Sequence, residues 1–182
     1  VSSHPIAGSE VSGPLHGNEN LFIDKWSVII KQKKTSSRII KKVSKFWKLL
    51  GSRTVIMGAD QHDQIFSLTS HLPHLIAYNL ILTATNFKDS TKDNILKFSA
   101  GGLRDFSRIA ASNEVMWKDI FFSNKKNMLK VIDLFIKNLK GFKQDIKNNS
   151  KNLENKLKRL KKVRQKIVLM KQDTPKPDFG RN

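Results

Sequence analysis

Apolar residues in the first third of the chain follow two different periods. Two short runs rich in β-branched residues, WSVII at 26–30 and TVIM at 54–57, predict buried strands. Between them, residues 36–50 carry apolar side chains at helical spacing with lysines on the opposite side, and Gly51 ends the predicted helix. A strand, a helix and a strand joined by short loops are half of a parallel sheet, so partner strands must come from elsewhere. The opening stretch SSHPIAGSE, residues 2–10, is interpreted as a loop.

The pattern becomes helical from about Asp60 to Gly141. Apolar positions three or four apart form segments that are separated by NFKDST and SAGG. The glycines of SAGG suit a helix stop or a backbone that lies close to a ligand. A helix from Asn124 to about Leu139 is predicted to place four apolar residues on one face. An all-helical module therefore follows the α/β fragment, and the fold is predicted to be mainly α.

A heptad pattern follows residue 141. Four apolar residues recur every seven positions: Ile146, Leu153, Leu160 and Ile167. Asn149 and Lys156 weaken the intervening seam, so the pattern fits a long basic helix that packs on a partner better than an autonomous coiled coil. The chain is thus divided into residues 1–58, 59–141 and a basic helical tail at 142–182.

A long uncharged stretch raises the question of a membrane. Residues 64–87 contain no Asp, Glu, Lys or Arg, which is long enough for a membrane span. The same stretch holds two histidines, two asparagines, a glutamine and a proline, so it is predicted to be a buried helix pair with no membrane partner. The absence of cysteine excludes a disulfide framework and any thiolate metal site, and it favours the cytoplasm.

The net charge of +19 would ordinarily indicate nucleic acid or an anionic surface. Residues 142–182 contain 13 Lys or Arg against 4 Asp or Glu, about half of the excess. Lysine and asparagine are frequent throughout the chain, so lysines that fill solvated helix faces account for the charge. No nucleic-acid partner is therefore expected.

Candidate functional side chains fall in three places: His4 with Glu10, HDQIFSLTSHLPH at 62–74, and GGLRDFSRIAASNEVMW at 101–117. Histidines buried against backbone are commoner than catalytic ones, and His71 and His74 flank a proline at a predicted helix kink, so either interpretation stays open for them. None of the histidines belongs to a compact helical ligand motif, so no metal is expected.

Two arginines of the third stretch are four residues apart. Arg104 and Arg108 therefore share one face of a helix, next to a pair of glycines. An arginine on a partly apolar face is either paired with a carboxylate such as Asp105 or binds one from a ligand in bidentate fashion. The spacing favours neither alternative.

Three motifs follow one another along the chain: HPIAGSEVSG at 4–13, HDQIFSLTSHLPH at 62–74 and GGLRDFSRIAASNEVMWKDIF at 101–121. In this order they closely resemble the prephenate dehydrogenase family, which includes the arogenate and cyclohexadienyl dehydrogenases of tyrosine biosynthesis. The resemblance covers residues 3 to about 141 and leaves the tail outside. Members have an N-terminal dinucleotide-binding domain with a Gly-rich turn, followed by a helical dimerisation domain. Because this sequence has no G-x-G-x-x-G, the resemblance implies a C-terminal part in which residues 1–58 end a Rossmann-like domain.

The resemblance implies an NAD- or NADP-dependent oxidative decarboxylation of prephenate to 4-hydroxyphenylpyruvate, of arogenate to tyrosine, or of both. His4 matches the family's catalytic histidine, which hydrogen-bonds the 4-hydroxyl of the substrate. Arg108 matches the arginine that clamps a substrate carboxylate, and Arg104 a basic position that often reaches the substrate from the partner subunit. His74 matches a histidine that lines the side-chain pocket, and Gly101 is assigned to the substrate site.

Further positions match supporting residues of the family. Glu10, Asp63 and Asp105 match an ionic network that restrains the arginine, which offsets the cost of a buried guanidinium. Trp117 matches a tryptophan near the interface of a homodimer. Most cofactor-binding residues are expected to precede Val1, so the segment alone is expected to be inactive. The acidic residue that reads the ribose belongs to the same preceding part, which leaves both NAD and NADP open.

Four hypotheses follow. The chain is the C-terminal segment of such a dehydrogenase, or an enzyme completed by a separately encoded nucleotide domain. Alternatively it is a non-catalytic dimerisation or ligand-sensing module derived from the family, or a basic nucleic-acid binder that uses the tail. An upstream reading frame that runs into a Gly-rich βαβ unit would distinguish the first hypothesis from the others.

Overall fold

A computed structural model describes residues 1–7, 15, 17–87 and 95–170. The elements are β1 Ser2–Pro5, β2 Trp26–Ile30, α1 Ser37–Leu49, β3 Arg53–Met57, α2 Ala59–Phe66, a π-helical turn Ser67–His71, α3 Leu72–Asn86, a 3₁₀ turn Ile95–Phe98, α4 Gly101–Ala110, α5 Glu114–Ser123, α6 Lys125–Lys147 and α7 Asn152–Leu169. The chain is mainly helical with a small sheet, as the sequence predicts.

The sheet has three strands in the order β1-β2-β3. The predicted strands β2 and β3 pair in parallel, from Trp26 opposite Arg53 to Ile30 opposite Met57. The interpretation of residues 2–10 as a loop is wrong for its first part, because β1 pairs antiparallel with β2 and places His4 opposite Val28. β2 is therefore the central strand, which explains why four of its five residues are buried.

Helix α1 begins and ends where the sequence predicts. The side chain of Ser36 accepts a hydrogen bond from the backbone N–H of Ile39 and so caps the first turn. Gly51 follows the helix at φ +82°, a left-handed conformation that favours glycine. A side chain there would also meet Ile23, whose nearest atom lies 3.1 Å from the position of an added Cβ. Trp47 on α1 donates its indole N–H to the hydroxyl of Ser3 at 3.0 Å and thereby ties β1 to the helix.

Residues 59–86 form one continuous helix rather than the predicted pair. Pro73 has no N–H to donate to the preceding turn, and the π-helical turn at Ser67–His71 directly precedes it, where the wider spacing accommodates the proline ring. The helix is long and apolar enough to cross a membrane, a criterion that core helices of soluble proteins also meet. Only 22% of its most apolar window is buried within this chain, so the prediction of full burial is wrong for the chain by itself.

The tail is divided between two helices. Helix α6 continues without a break past Gly141 to Lys147, and Asn149 at φ 48° occupies the turn before α7. The heptad therefore does not lie on the single long helix that the sequence predicted. Lys156 of α7 forms an ion pair with Asp145 of α6, and its ammonium lies 4.7 Å from the ring centre of Phe142.

The chain divides into two compact units. The first comprises residues 1–75 and 112–128, and the second comprises residues 76–111 and 129–182. The core of the first unit is formed by Val28 and Ile30 of β2 with Phe66 of α2, and two residues of β3, Val55 and Met57, pack against it. The second unit consists of helical segments in its described part.

Candidate functional site

Three polar side chains of the first unit form a hydrogen-bonded series. The Nδ1 atom of His4 lies 2.8 Å from Nε2 of His62, and Nδ1 of His62 lies 2.8 Å from Oδ1 of Asp63. His4 extends from β1, whereas His62 and Asp63 lie in the middle of α2. A residue of the antiparallel strand is thus linked to Asp63 of the following helix through His62.

Phe66 fixes the two imidazoles against the core. Its ring centre lies 4.9 Å from that of His4 and 4.5 Å from that of His62. His62 and Phe66 are one helical turn apart and therefore share a face of α2. Because Phe66 is itself buried with Val28 and Ile30, the hydrophobic core of the sheet supports the position of both histidines.

The surroundings favour a neutral His4. Partial burial lowers the pKa of His4 below its ordinary value of 6.5, and the nearby His62 lowers it further. A neutral imidazole has one N–H donor and one lone pair, so it is able to accept a proton at pH 7. The site therefore holds an imidazole that is suited to accept a proton.

A second group of hydrogen bonds joins α2 to the residue that precedes α6. The side-chain amide of Asn124 donates to the backbone carbonyl of Asp63 at 2.7 Å, and the same nitrogen lies 3.3 Å from Nδ1 of His71. The side-chain amide of Asn127 donates to Oδ1 of the Asn124 side chain at 2.9 Å. Burial is the largest cause of the lowered pKa of His71. These bonds hold His71 as a structural, neutral histidine.

His74 stacks on Trp117. The two ring centres are 3.7 Å apart with an interplanar angle of 20°. Nδ1 of His74 donates to the carbonyl of Ser70 at 2.9 Å, which leaves Nε2 of the neutral ring as an acceptor. Burial lowers the pKa of His74, partly opposed by that bond. Trp117 is 6% exposed, and its indole N–H has no hydrogen-bond partner in the described part of the chain.

The candidate arginines lie in the second unit. Gly101, Arg104, Asp105 and Arg108 all belong to α4, which confirms the predicted helix and places the two arginines on one face. Both guanidinium-bearing residues are exposed, and Asp105 is half-buried. Glu10 lies outside the described residues.

The structure thus brings the predicted residues together in two pairs within the first unit. His4 and Asp63 are joined through His62, and His74 stacks on Trp117. Sequence reasoning missed Phe66 and Asn124. An isolated asparagine between two helices is typical of a helix cap, so only the fold reveals that its amide bonds to α2. Within the described ranges, no group of three or more His, Asp or Glu residues is arranged to hold a metal ion.

Comparison with protein families identifies the class to which the fold belongs. The family model described as "Prephenate dehydrogenase, nucleotide-binding domain" matches residues 1–56, and "Prephenate dehydrogenase, dimerization domain" matches residues 58–167. The chain therefore belongs to the prephenate dehydrogenase family. The second match includes most of the tail, so the expectation that the resemblance ends near residue 141 is wrong.

Individual relatives agree with this assignment. The chain is 38% identical over 146 residues to the cyclohexadienyl dehydrogenase of Zymomonas mobilis and 32% identical over 139 residues to the prephenate dehydrogenase of Bacillus subtilis. These alignments cover 80% and 76% of this chain but 50% and 37% of the relatives. The solved prephenate dehydrogenase from A. aeolicus, in complex with hydroxyphenyl propionate and NAD+, is 36% identical with a TM-score of 0.85, and the match covers 91% of this chain and 58% of that one. The chain spans about half the length of the proteins it resembles.

Proposed function

We propose that the chain acts in the NAD(P)-dependent oxidative decarboxylation of prephenate to 4-hydroxyphenylpyruvate, of arogenate to tyrosine, or of both. The observation that carries this proposal is the imidazole of His4, hydrogen-bonded to His62 and packed on Phe66 with its pKa lowered by burial, in a chain that belongs to the prephenate dehydrogenase family. A positioned neutral imidazole is the group that the oxidation of an alcohol requires.

His4 is the proposed catalytic residue. As hydride leaves the ring carbon that bears the hydroxyl, the hydroxyl proton becomes acidic and is accepted by the imidazole. The bond from the ring to its carboxylate then breaks with loss of carbon dioxide. The electron pair of that bond aromatises the ring and reaches the former hydroxyl oxygen, which takes the proton back from His4.

Arg108 is the proposed carboxylate clamp. Its guanidinium offers a planar fork that pairs with a carboxylate through two charge-assisted hydrogen bonds. Arg104, on the same face of α4, is a second basic group for the substrate, and Gly101 allows the backbone at the start of that helix to lie close to it. His74 and Trp117 offer a stacked surface for the substrate side chain, with Nε2 of His74 as an acceptor. Asp63, Asp105 and Glu10 are the proposed acidic supports.

The described residues fit one end of a dinucleotide. Ligands of open α/β folds bind beyond the carboxyl ends of parallel strands, and β2 and β3 both end at that edge, where α2 and His62 follow. The chain has no G-x-G-x-x-G for a diphosphate, so its residues would hold the nicotinamide side only. When bound, NAD or NADP would accept the hydride.

A homodimer in the cytoplasm is the proposed working form. The exposed apolar helix faces could be covered by lipid or by a second copy of the chain. The match to the dimerization-domain family supports the second copy. The basic tail is not proposed to bind nucleic acid, because it has few aromatic residues that could stack on bases.

The proposal is tested with the protein encoded by the complete reading frame that contains these residues. We expect reduction of NAD+ or NADP+ that depends on prephenate or arogenate, and almost none in the His4→Asn variant. No turnover with either substrate and either cofactor would contradict the proposal. Binding of prephenate or tyrosine without turnover would instead support a non-catalytic ligand-sensing module.

A further inference from the structure

The hydrogen bonds among His4, His62 and Asp63 determine where the protons of both rings lie. A carboxylate has no proton to donate, so Nδ1 of His62 must donate to Asp63 across their 2.8 Å contact. A neutral His62 then has its lone pair on Nε2. The 2.8 Å contact between this atom and Nδ1 of His4 requires one proton, and only His4 is able to supply it.

We propose that Asp63 and His62 form a positioning relay that fixes the tautomer of His4, with the proton on Nδ1 and the lone pair on Nε2. This inference rests on the proposed function for its catalytic meaning, because Nε2 is then the atom that accepts the hydroxyl proton of the substrate. His62 and Asp63 act through His4 and are positioning residues.

The competing arrangement has a different proton count. If His62 were an imidazolium, both of its nitrogens would donate, and Nδ1 of His4 would accept. The proton of a neutral His4 would then lie on Nε2, where it would block the base. The lowered pKa of His4, caused first by burial and then by His62, favours a neutral His4 in both arrangements, so the tautomer measurement is what distinguishes them.

The shape of the site supports a fixed rather than an averaged arrangement. Phe66 packs against both imidazoles, and the ring centres of His4 and His62 lie 5.1 Å apart at an interplanar angle of 62°. The backbone carbonyl of Asp63 accepts the amide of buried Asn124. The two imidazoles and the backbone of Asp63 are thus held by neighbouring residues of the same unit.

The test reads the tautomers directly in the 182-residue chain labelled with ¹⁵N-histidine. Two-bond ¹H–¹⁵N correlation spectra at pH 8 are expected to show His62 and His4 both protonated on Nδ1. In the Asp63→Ala chain the acceptor is removed, so both rings should change to mixed or Nε2-protonated forms. The matched control is Asp60→Ala, an exposed aspartate three residues earlier in the same helix, which should leave both patterns unchanged.

Each outcome is decisive. A proton on Nε2 of His4 in the unsubstituted chain would overturn the relay, and this measurement does not depend on whether the Asp63→Ala chain folds. An unchanged His4 in a folded Asp63→Ala chain would also overturn it. In the complete enzyme, Asp63→Ala should lower kcat about tenfold to a hundredfold. If the complete enzyme oxidises neither substrate, the proposed function fails while the tautomer result stands, so the two failures are distinguishable.

Discussion

The two units of the chain differ in how they bury their side chains. Among the described residues classed as buried, Ala77 alone belongs to the second unit, and all the others belong to the first. The apolar residues of α7 are instead open to solvent: Leu157, Leu160, Val163 and Ile167 are each between 42% and 51% exposed. The first unit also contains the polar series at His4, whereas the second contains the arginines of α4.

This difference indicates two ways of becoming stable. The first unit has a sheet with its own core, and His4 and His62 are anchored to that core through Phe66. The second unit has amphipathic helices whose apolar faces are largely exposed among the described residues, and such faces contribute stability only when they are removed from water. The proposed general base therefore belongs to a unit with its own core, and the proposed carboxylate clamp to a unit whose described apolar helix faces are largely exposed.

The largest effect is expected from the core of the first unit. Ile29 is fully buried in the central strand, so Ile29→Ala should lower the free energy of unfolding by about 2–5 kcal/mol. Leu160→Ala in the second unit is the matched control and should cost below about 1 kcal/mol in the monomer. Urea unfolding followed by far-UV circular dichroism reports both units, and tryptophan fluorescence reports the first unit separately, because all three tryptophans lie there. Equal losses of unfolding free energy from both substitutions would contradict the difference between the two units.

The next effect concerns substrate binding by the second unit. In the complete enzyme, Arg108→Ala should raise KM about a hundredfold, because two charge-assisted hydrogen bonds to a carboxylate are lost before as well as during the reaction. Steady-state kinetics with prephenate and arogenate measure the change. Arg38→Ala, an exposed arginine of α1, should leave KM unchanged. An unchanged KM for both substrates after Arg108→Ala would contradict the proposed role of Arg108.

The matching effect in the first unit falls on the chemical step. His4→Asn should lower kcat about a hundredfold, because the hydroxyl becomes acidic only as hydride leaves. The lowered pKa of His4 also predicts that the acid limb of the pH profile of kcat/KM lies below 6.5, since the neutral ring is the active form. An unchanged kcat in the His4→Asn variant, or an acid limb above pH 6.5, would show that His4 is not the catalytic base.

The sequence predicts most of the local structure but little of the polar geometry. Strands β2 and β3, helix α1 and its end at Gly51 follow from apolar period and turn chemistry, which are local properties. β1 was missed because four residues with a proline carry too weak a pattern to indicate a strand that forms only by pairing with β2. The single helix at 59–86 was missed because a proline usually interrupts a helix, and the π-helical turn that admits it has no sequence signature.

The candidate site shows the same limit. His4, Asp63, His74 and Trp117 were named from motifs, and the structure adds the contacts that motifs do not contain. His62 links His4 to Asp63 across 58 positions of sequence, a relation set by the packing of α2 on the sheet. Long-range contacts of this kind depend on the fold as a whole, so no local pattern predicts them.

A smaller effect is expected from the face of α7. If a second copy of the chain covers this face, Leu160→Lys should weaken the homodimer about tenfold or more, because an ammonium would be removed from water without a partner. Sedimentation over a range of concentrations measures the dissociation constant. Lys161→Ala, at the next position on the helix, should change it little. A chain that sediments as a monomer at micromolar concentration would show that the exposed faces of the second unit have another cover.

The smallest effect is expected from the charge of the tail, although the tail carries about half of the excess positive charge. Phosphate contacts by lysines give non-specific binding that weakens steeply with salt, whereas sequence-tolerant tight binding to single strands needs aromatic stacking. Residues 142–182 contain Phe142 and Phe179 as their aromatic residues, and Phe142 already lies beneath the ammonium of Lys156. Fluorescence anisotropy with short DNA and RNA should therefore show weak binding that is lost at physiological salt and is indifferent to sequence. Sub-micromolar, sequence-selective binding under those conditions would mean that the second unit uses its charge to recognise nucleic acid. The two units would then differ in the ligands that they bind as well as in how they bury their side chains.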